Sequence, residues 1–373
     1  MPAIRPPLTH VILIDGTFAS LAEGRRSSVG RIHRMLTGGY GPTNGDLMRV
    51  FYAQGQQWNR WRTIPELAMG RGLTLRIIDA YGWLASRYRP GDRVYMFGYS
   101  RGAFAVRSLA GMIARVGLLR PDAATERNIR LAWRYYSEGG SDAVIATFRR
   151  RRGQDDVPIQ MLGCFDTVMA LGIRLPVLWM LTEPRFRFHD THMAGNVLQG
   201  FQALALDETR AAFAPVMWDD SNDAQRIEQM WFRGAHADIG GQLSGFEYAR
   251  PLANIPLVWM LRHAQEQGLP MPQDWQRHFE CDATAPSIGS WRRWGKAFLA
   301  RAPRLAGQYQ TENLHQTVPR PYPGPAILTR DLAEFAADVQ KRRILPRRAV
   351  MADGQAGPEV TQPGDDGGSA AQS

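Results

Sequence analysis

Val94-Tyr95-Met96-Phe97-Gly98-Tyr99-Ser100-Arg101-Gly102 is the stretch on which the fold of this chain turns. Its first half is a short apolar run of β type, and its second half is Gly-x-Ser-x-Gly. Behind it, Ala103 to Ile113 sets apolar residues at helical spacing. The order is strand, sharp turn, helix. A nucleophilic serine must project from such a turn, on strained backbone. Glycines two residues to either side leave room for the strand and the helix to cross. The N-terminus of the helix points at the same spot and favours developing negative charge. Gly-x-Ser-x-Gly recurs by chance, but between a strand and a helix it marks a nucleophile elbow. Ser100 is the candidate nucleophile, and the Arg101 backbone N–H a candidate oxyanion donor.

Working outward, Leu75 to Tyr88 carries Ile77, Tyr81, Leu84 and Tyr88 on one helical face, and Arg89 to Asp92 turns the chain into the elbow strand. Near the start, His10 to Asp15 reads as a buried strand closed by Gly16-Thr17-Phe18. A strand ending in Asp15-Gly16-Thr17, early in such a chain, is where a second oxyanion N–H would come from. Gly16 and Thr17 are therefore candidates, with Asp15 held in view beside them. Arg49 to Ala53 is the next strand-like run. After the elbow, Ile159 to Phe165 is a buried strand ending in Asp166, on the sheet edge where a carboxylate can orient a histidine. Ile227 to Phe232 is the last clear strand and runs into Gly234-Ala235-His236-Ala237-Asp238. The order Ser100, Asp166, His236 is that of α/β-hydrolases. Asp238 with His315 keeps the same order and is the second pairing.

Alternating strands and helices predict an α/β fold: a mostly parallel central sheet flanked by helices, with residues 1–350 as one domain. Residues 24–45 read as a basic, glycine-rich helix or loop, Asn128 to Glu138 as a helix, and Arg149 to Arg152 as a solvated loop. Residues 173–225 exceed one crossover. With apolar Leu175 to Leu181 and a helix expected over Val197 to Phe213, they are the natural place for a helical cap insert. Asn254 to Gln267 reads as an apolar helix, Trp275 to Pro303 as surface segments, and Leu332 to Arg343 as a last helix. Residues 351–373 are rich in Gly, Asp, Gln and Ser and read as a disordered tail.

Of 373 residues, 45 are Lys or Arg against 35 Asp or Glu, a formal net charge of +10 carried almost wholly by arginine. The arginines are dispersed, so nucleic acid is not expected, whereas an anionic surface is a suitable partner. The two cysteines, Cys164 and Cys281, sit in no metal-type spacing and make no disulfide framework. His189, Asp190 and His192 read as a polar surface cluster, and the chemistry needs neither metal nor cofactor. No apolar run approaches the roughly 18 residues that span a bilayer. The start shows no charged-then-apolar leader, so a cytoplasmic location is expected, with signal-less export as the alternative.

Taken jointly, these pieces resemble the bacterial and fungal α/β-hydrolase family that includes type VI secretion lipase effectors. The matching residues are Asp15-Gly16-Thr17; Gly70-Arg71-Gly72; Gly91-Asp92; Phe97 to Ala103; Phe165 to Val168; Ala205-Leu206-Asp207-Glu208; Trp231-Phe232-x-Gly234-x-His236-x-Asp238-x-Gly240-Gly241; and Leu314-His315. The resemblance implies an α/β-hydrolase-like fold and a serine ester hydrolase of lipase or phospholipase type. Ser100 would be nucleophile, Asp166 acid and His236 base, working through an acyl-enzyme. The implied partners are a lipid or ester substrate, a membrane surface and, for an effector, an immunity or secretion partner with export by a type VI system. A soluble carboxylesterase and a non-catalytic binding protein on the same fold are the competing readings.

Overall fold

In the computed structural model, residues 5–40, 47–57, 71–154, 156–169, 191–292, 295–296 and 298–332 are described, all within one compact unit, Met1–Ala333. Seven strands make the central sheet: β1 (Thr9–Ile14), β2 (Met48–Ala53), β3 (Arg93–Tyr99), β4 (Ile159–Phe165), β5 (Gly200–Ala205), β6 (Ile227–Phe232) and β7 (Glu312–Leu314). All pairings are parallel, in the order β7-β6-β5-β4-β3-β1-β2. The strand order reverses beside β1, so the loops leaving β1 and β3 diverge there, which is where α/β sheets open a crevice at their carboxyl edge. Asp15 and Ser100 lie at that point.

Period-two alternation sends neighbouring residues to opposite layers. From β1, Ile12 and Ile14 face one side with Val94 and Met96 of β3. That layer is completed by α2 (Arg71–Ala85), α3 (Arg101–Val116), α4 (Glu126–Ser137) and α5 (Asp142–Arg152). Val11 and Leu13 face the other side with Tyr95, Phe97 and Phe165, under α1 (Ser28–Leu36) and the long helix α7 (Arg250–Glu266). A short helix, α6 (His236–Ile239), precedes α7. The buried strands are covered on both faces, as parallel sheets require.

Local chemistry sets the boundaries. Ser27 caps α1 by accepting the Gly30 N–H at 3.1 Å, and Thr125 caps α4 through the Asn128 N–H. Helix α3 starts differently. Ser100 stands at its N-cap with φ 58° and ψ −123°, and its side chain makes no capping bond. The hydroxyl is thereby left for another partner. The crossing is tight: a Cβ at Gly102 would run into the Ile14 and Asp15 carbonyls, and one at Gly98 into Gly102 and Ala103. The motif glycines are required by this contact between β1, β3 and α3.

Three expectations are corrected. Val197 to Phe213 is not a helix: Gly200–Ala205 is β5, fully buried in the centre of the sheet. Residues 200–205 therefore belong to the core and not to a cap, while 170–190, including Leu175 to Leu181, lie outside the described residues. Arg149 to Arg152 is not a loop but the last turn of α5, held because Ile145 and Phe148 are buried and Arg149 donates to the Ala114 carbonyl. Cations suit that end of a helix dipole. Finally, β6 is not the last strand, since Glu312–Leu314 pairs with Gln229–Trp231. The tail 351–373, and 333–343 of the expected last helix, lie outside the described residues.

Candidate active site

The site is built from loops that leave the carboxyl ends of β1, β3, β4, β5 and β6. The turn after β3 projects Ser100, the end of β4 presents Asp166, and the loop after β6 brings His236 between them. His236 Nε2 lies 2.9 Å from Ser100 Oγ, and its Nδ1 lies 2.5 Å from Asp166 Oδ2. All three residues are buried. Asp166 is held well below the usual carboxylate range. Burial alone would raise it, but the neighbouring Arg304 cation and the hydrogen bonds from His236 and Arg304 overcome that. An ionised carboxylate only accepts, so Nδ1 carries the proton and Nε2 offers a lone pair to the serine hydroxyl. Ser100 and Asp166 both have positive φ, 58° and 45°, conformations that non-glycine residues hold only under constraint.

The β1 loop runs beside Ser100. The Gly16 N–H is taken by Asp15 Oδ1 at 2.8 Å, so within this loop Thr17 is the remaining candidate oxyanion donor. The Arg101 N–H opens α3, where N–H groups have no intrahelical partner. Thr17 is fixed from two sides: its carbonyl accepts from Gln242 Nε2 at 3.0 Å and its Oγ1 accepts from the Arg101 guanidinium, Nε at 2.6 Å. Asp15 does not touch the Ser100 group. It accepts from Ser27 Oγ and Tyr52 OH and supports the loop from beneath. Burial pushes its carboxyl up from 3.8 to about 6.

The second pairing, Asp238 with His315, is not assembled. Asp238 accepts from the Ala235 and Ile288 N–H groups and from Ser287 Oγ, so it caps α6 and ties down residues 287–289. His315 stacks on Phe232 with ring centres 4.7 Å apart, and its Nδ1 sits 2.8 Å from Thr317 Oγ1. Burial drives it down to about 4. Of the polar cluster, His189 and Asp190 lie outside the described residues, and His192 lies 3.4 Å from Asp219. Among the described residues, no group of three His, Cys, Asp or Glu is placed to hold a metal ion. No described helix is long and apolar enough to cross a membrane.

The roles of several neighbouring residues were not assigned from sequence. The end of β5 clamps the histidine loop: Asp207 Oδ2 accepts the Gly234 N–H at 2.7 Å and Glu208 Oε2 the His236 N–H at 3.2 Å. Glu208 is itself held by the Arg210 guanidinium at 2.6 and 2.7 Å. The Tyr99 ring lies against His236 at 4.9 Å, and a Cβ at Gly240 would strike that ring, so this glycine lets α6 close on it. Phe213 packs edge-on to His236 at 4.9 Å. Arg304 reaches Asp166 with both Nη atoms, at 2.6 and 2.9 Å. An acidic pair after a strand is a visible signal. Arg304, one arginine among many, gives no such signal.

Residues 9–263 match the family model described as T6SS, phospholipase effector Tle1-like, catalytic domain. A stretch of 149 residues is 34% identical to the uncharacterized protein YEL023C of Saccharomyces cerevisiae, covering 37% of this chain and 20% of the yeast protein. A crystal structure of an uncharacterized protein from Pseudomonas aeruginosa is similar over 76% of this chain and 52% of its own, at 16% identity and a TM-score of 0.43. The structure of the Tle1 effector bound to the VgrG spike of the type 6 secretion system is similar over 64% of this chain and 52% of its own, at 18% identity and a TM-score of 0.38. This chain thus spans a fifth of the yeast relative and about half of each solved structure. By the match over residues 9–263, the chain belongs to the family of Tle1-like phospholipase effector catalytic domains.

Proposed function

We propose that this protein is a serine ester hydrolase that cleaves acyl esters of phospholipids. One observation carries the reading: the unbroken chain of hydrogen-bond contacts from Ser100 through His236 to Asp166, at a strained strand-to-helix turn. In the first step Ser100 Oγ attacks the acyl carbonyl carbon and its proton passes to His236 Nε2. The carbonyl electron pair moves onto oxygen, and that oxyanion rests on the Arg101 and Thr17 N–H groups. As the electron pair returns, the C–O bond to the alcohol breaks, and His236 gives its proton to the leaving oxygen. Water, deprotonated by His236, then attacks the acyl carbon; the bond from that carbon to Ser100 Oγ breaks, His236 returns the proton to Oγ, and the fatty acid leaves. Asp166 fixes the imidazole tautomer and stabilises its cation. Losing one oxyanion donor costs ~10²–10³ in rate in such sites. The family supports phospholipid as the substrate class, and supports export by a type VI system with a carrier of that machine as partner.

The test is mass spectrometry of mixed phospholipid vesicles incubated with wild type and with Ser100→Ala. Fatty acid and lysolipid from wild type alone are expected. Equal release from the variant would sink the serine assignment. Turnover confined to short soluble esters would replace phospholipase by carboxylesterase, and no turnover of either would leave a binding protein.

A further inference from the structure

We propose that Arg304 is a positioning residue for the hydrolase, holding Asp166 ionised and in plane so that His236 can work as base. This rests on the reading of Ser100, His236 and Asp166 given above. The geometry is specific. Arg304 Nη1 donates to Asp166 Oδ1 at 2.6 Å and Nη2 lies 2.9 Å from Oδ2, a two-pronged grip that sets the carboxylate plane. The same two nitrogens donate to the Ala205 carbonyl at 2.9 Å and the Phe213 carbonyl at 2.7 Å. The guanidinium is thus anchored to the end of β5 and to the residue packed edge-on against His236. Asp166 Oδ1 also accepts the Ala205 N–H at 3.0 Å, so Oδ2 is the oxygen turned to His236.

A serine–histidine–carboxylate relay needs no second cation, and a cation beside the acid weakens the carboxylate's pull on the imidazolium. Its presence in a buried site implies another service. Asp166 is fully buried, and burial by itself favours the protonated acid. A protonated Asp166 would neither orient Nδ1–H nor stabilise positive charge. The other charged or titratable groups around the cluster are Tyr99, Glu208, Arg210 and, further out, the carboxylates of Asp15, Asp207 and Asp238. Glu208 is anionic and already bound by Arg210, and Tyr99 is driven far up by burial. Arg304 is therefore the cation that keeps Asp166 charged.

The experiment compares wild type, Arg304→Lys and Arg304→Met, using a soluble ester to read kcat, KM and the pH–rate profile. Thermal melting and fluorophosphonate labelling of Ser100 measure the folded, competent fraction. Arg304→Met removes the charge. Its acid limb is expected to move to higher pH by about one to three units, because protonated forms of the Asp166–His236 pair are then favoured. Arg304→Lys keeps the charge but loses the fork. It should hold the wild-type acid limb while kcat falls ~10²-fold at little change in KM, the scale of a misplaced catalytic group. If both variants lose rate equally at every pH, in proportion to the folded fraction, Arg304 is merely structural and the proposal fails. It fails equally if either variant keeps wild-type rates and limbs. Failure of the underlying reading shows separately, as Ser100→Ala retaining turnover.

Discussion

Asp15 shows how a single side chain can serve the site without touching it. Its two oxygens take Gly16 N–H, Ser27 Oγ and Tyr52 OH, at 2.6 to 2.8 Å, and so pin the loop that presents Thr17. Burial outweighs these bonds and lifts the carboxyl from 3.8 to about 6. The folded protein therefore binds this proton more tightly than the unfolded chain does. The contribution is fully present below about pH 4 and is lost as pH rises through about 6. It amounts to something on the order of 3 kcal/mol. Asp15→Asn removes that dependence while the amide can still meet the three partners. Urea unfolding at pH 4 and pH 7 should show the variant gaining on wild type by a few kcal/mol at the higher pH. An unchanged difference between the two proteins would mean Asp15 is ionised at no cost.

At the scale of elements, the histidine loop is as well placed as the strand beside it. Glu208 follows β5 and holds the His236 N–H while paired with Arg210, which is itself mostly buried. Glu208→Ala leaves that arginine uncompensated and should cost about 3–5 kcal/mol, the scale for breaking a buried ion pair, with hydrolysis falling further than stability explains. Denaturant melts alongside kcat would check it. Unaltered stability would show that Arg210 finds water instead. Strand β5 was the element hardest to read beforehand. Val197, Phe201 and Leu204 recur at helical spacing, and Gln202 supplies the polar interruption of an amphipathic helix. In the fold, Gln202 is buried and satisfied by Thr167, Val216 and Gln229, so the run is continuous in effect. Periodicity cannot separate a strand covered on both faces from a helix. The elbow was legible because strand, turn and helix are adjacent in sequence. Strand β7, three residues long, had no pattern to show. Arg304 was invisible for another reason: it is one arginine among many, and its partner lies 138 residues away.

For the molecule as a whole, charge is the first consequence. A formal net charge of +10 predicts long-range attraction to anionic interfaces, and salt shortens that reach to about 8 Å near physiological strength. The Ser100→Ala protein should adsorb to vesicles rich in anionic lipid, release steeply as salt is raised, and adsorb weakly to neutral vesicles. Co-sedimentation measures this. Adsorption indifferent to salt and lipid charge would show that apolar contact governs binding. A second consequence concerns time. Chains fold from the N-terminal side as they leave the ribosome. Ser100, Asp166 and His236 are all synthesised long before Arg304, whose guanidinium then has to dock between the ends of β4 and β5. Until it does, closing the site would bury a carboxylate with no cation beside it, which opposes closure. The nascent chain thus carries Ser100, Asp166 and His236 before the arginine that pairs with Asp166 has been made.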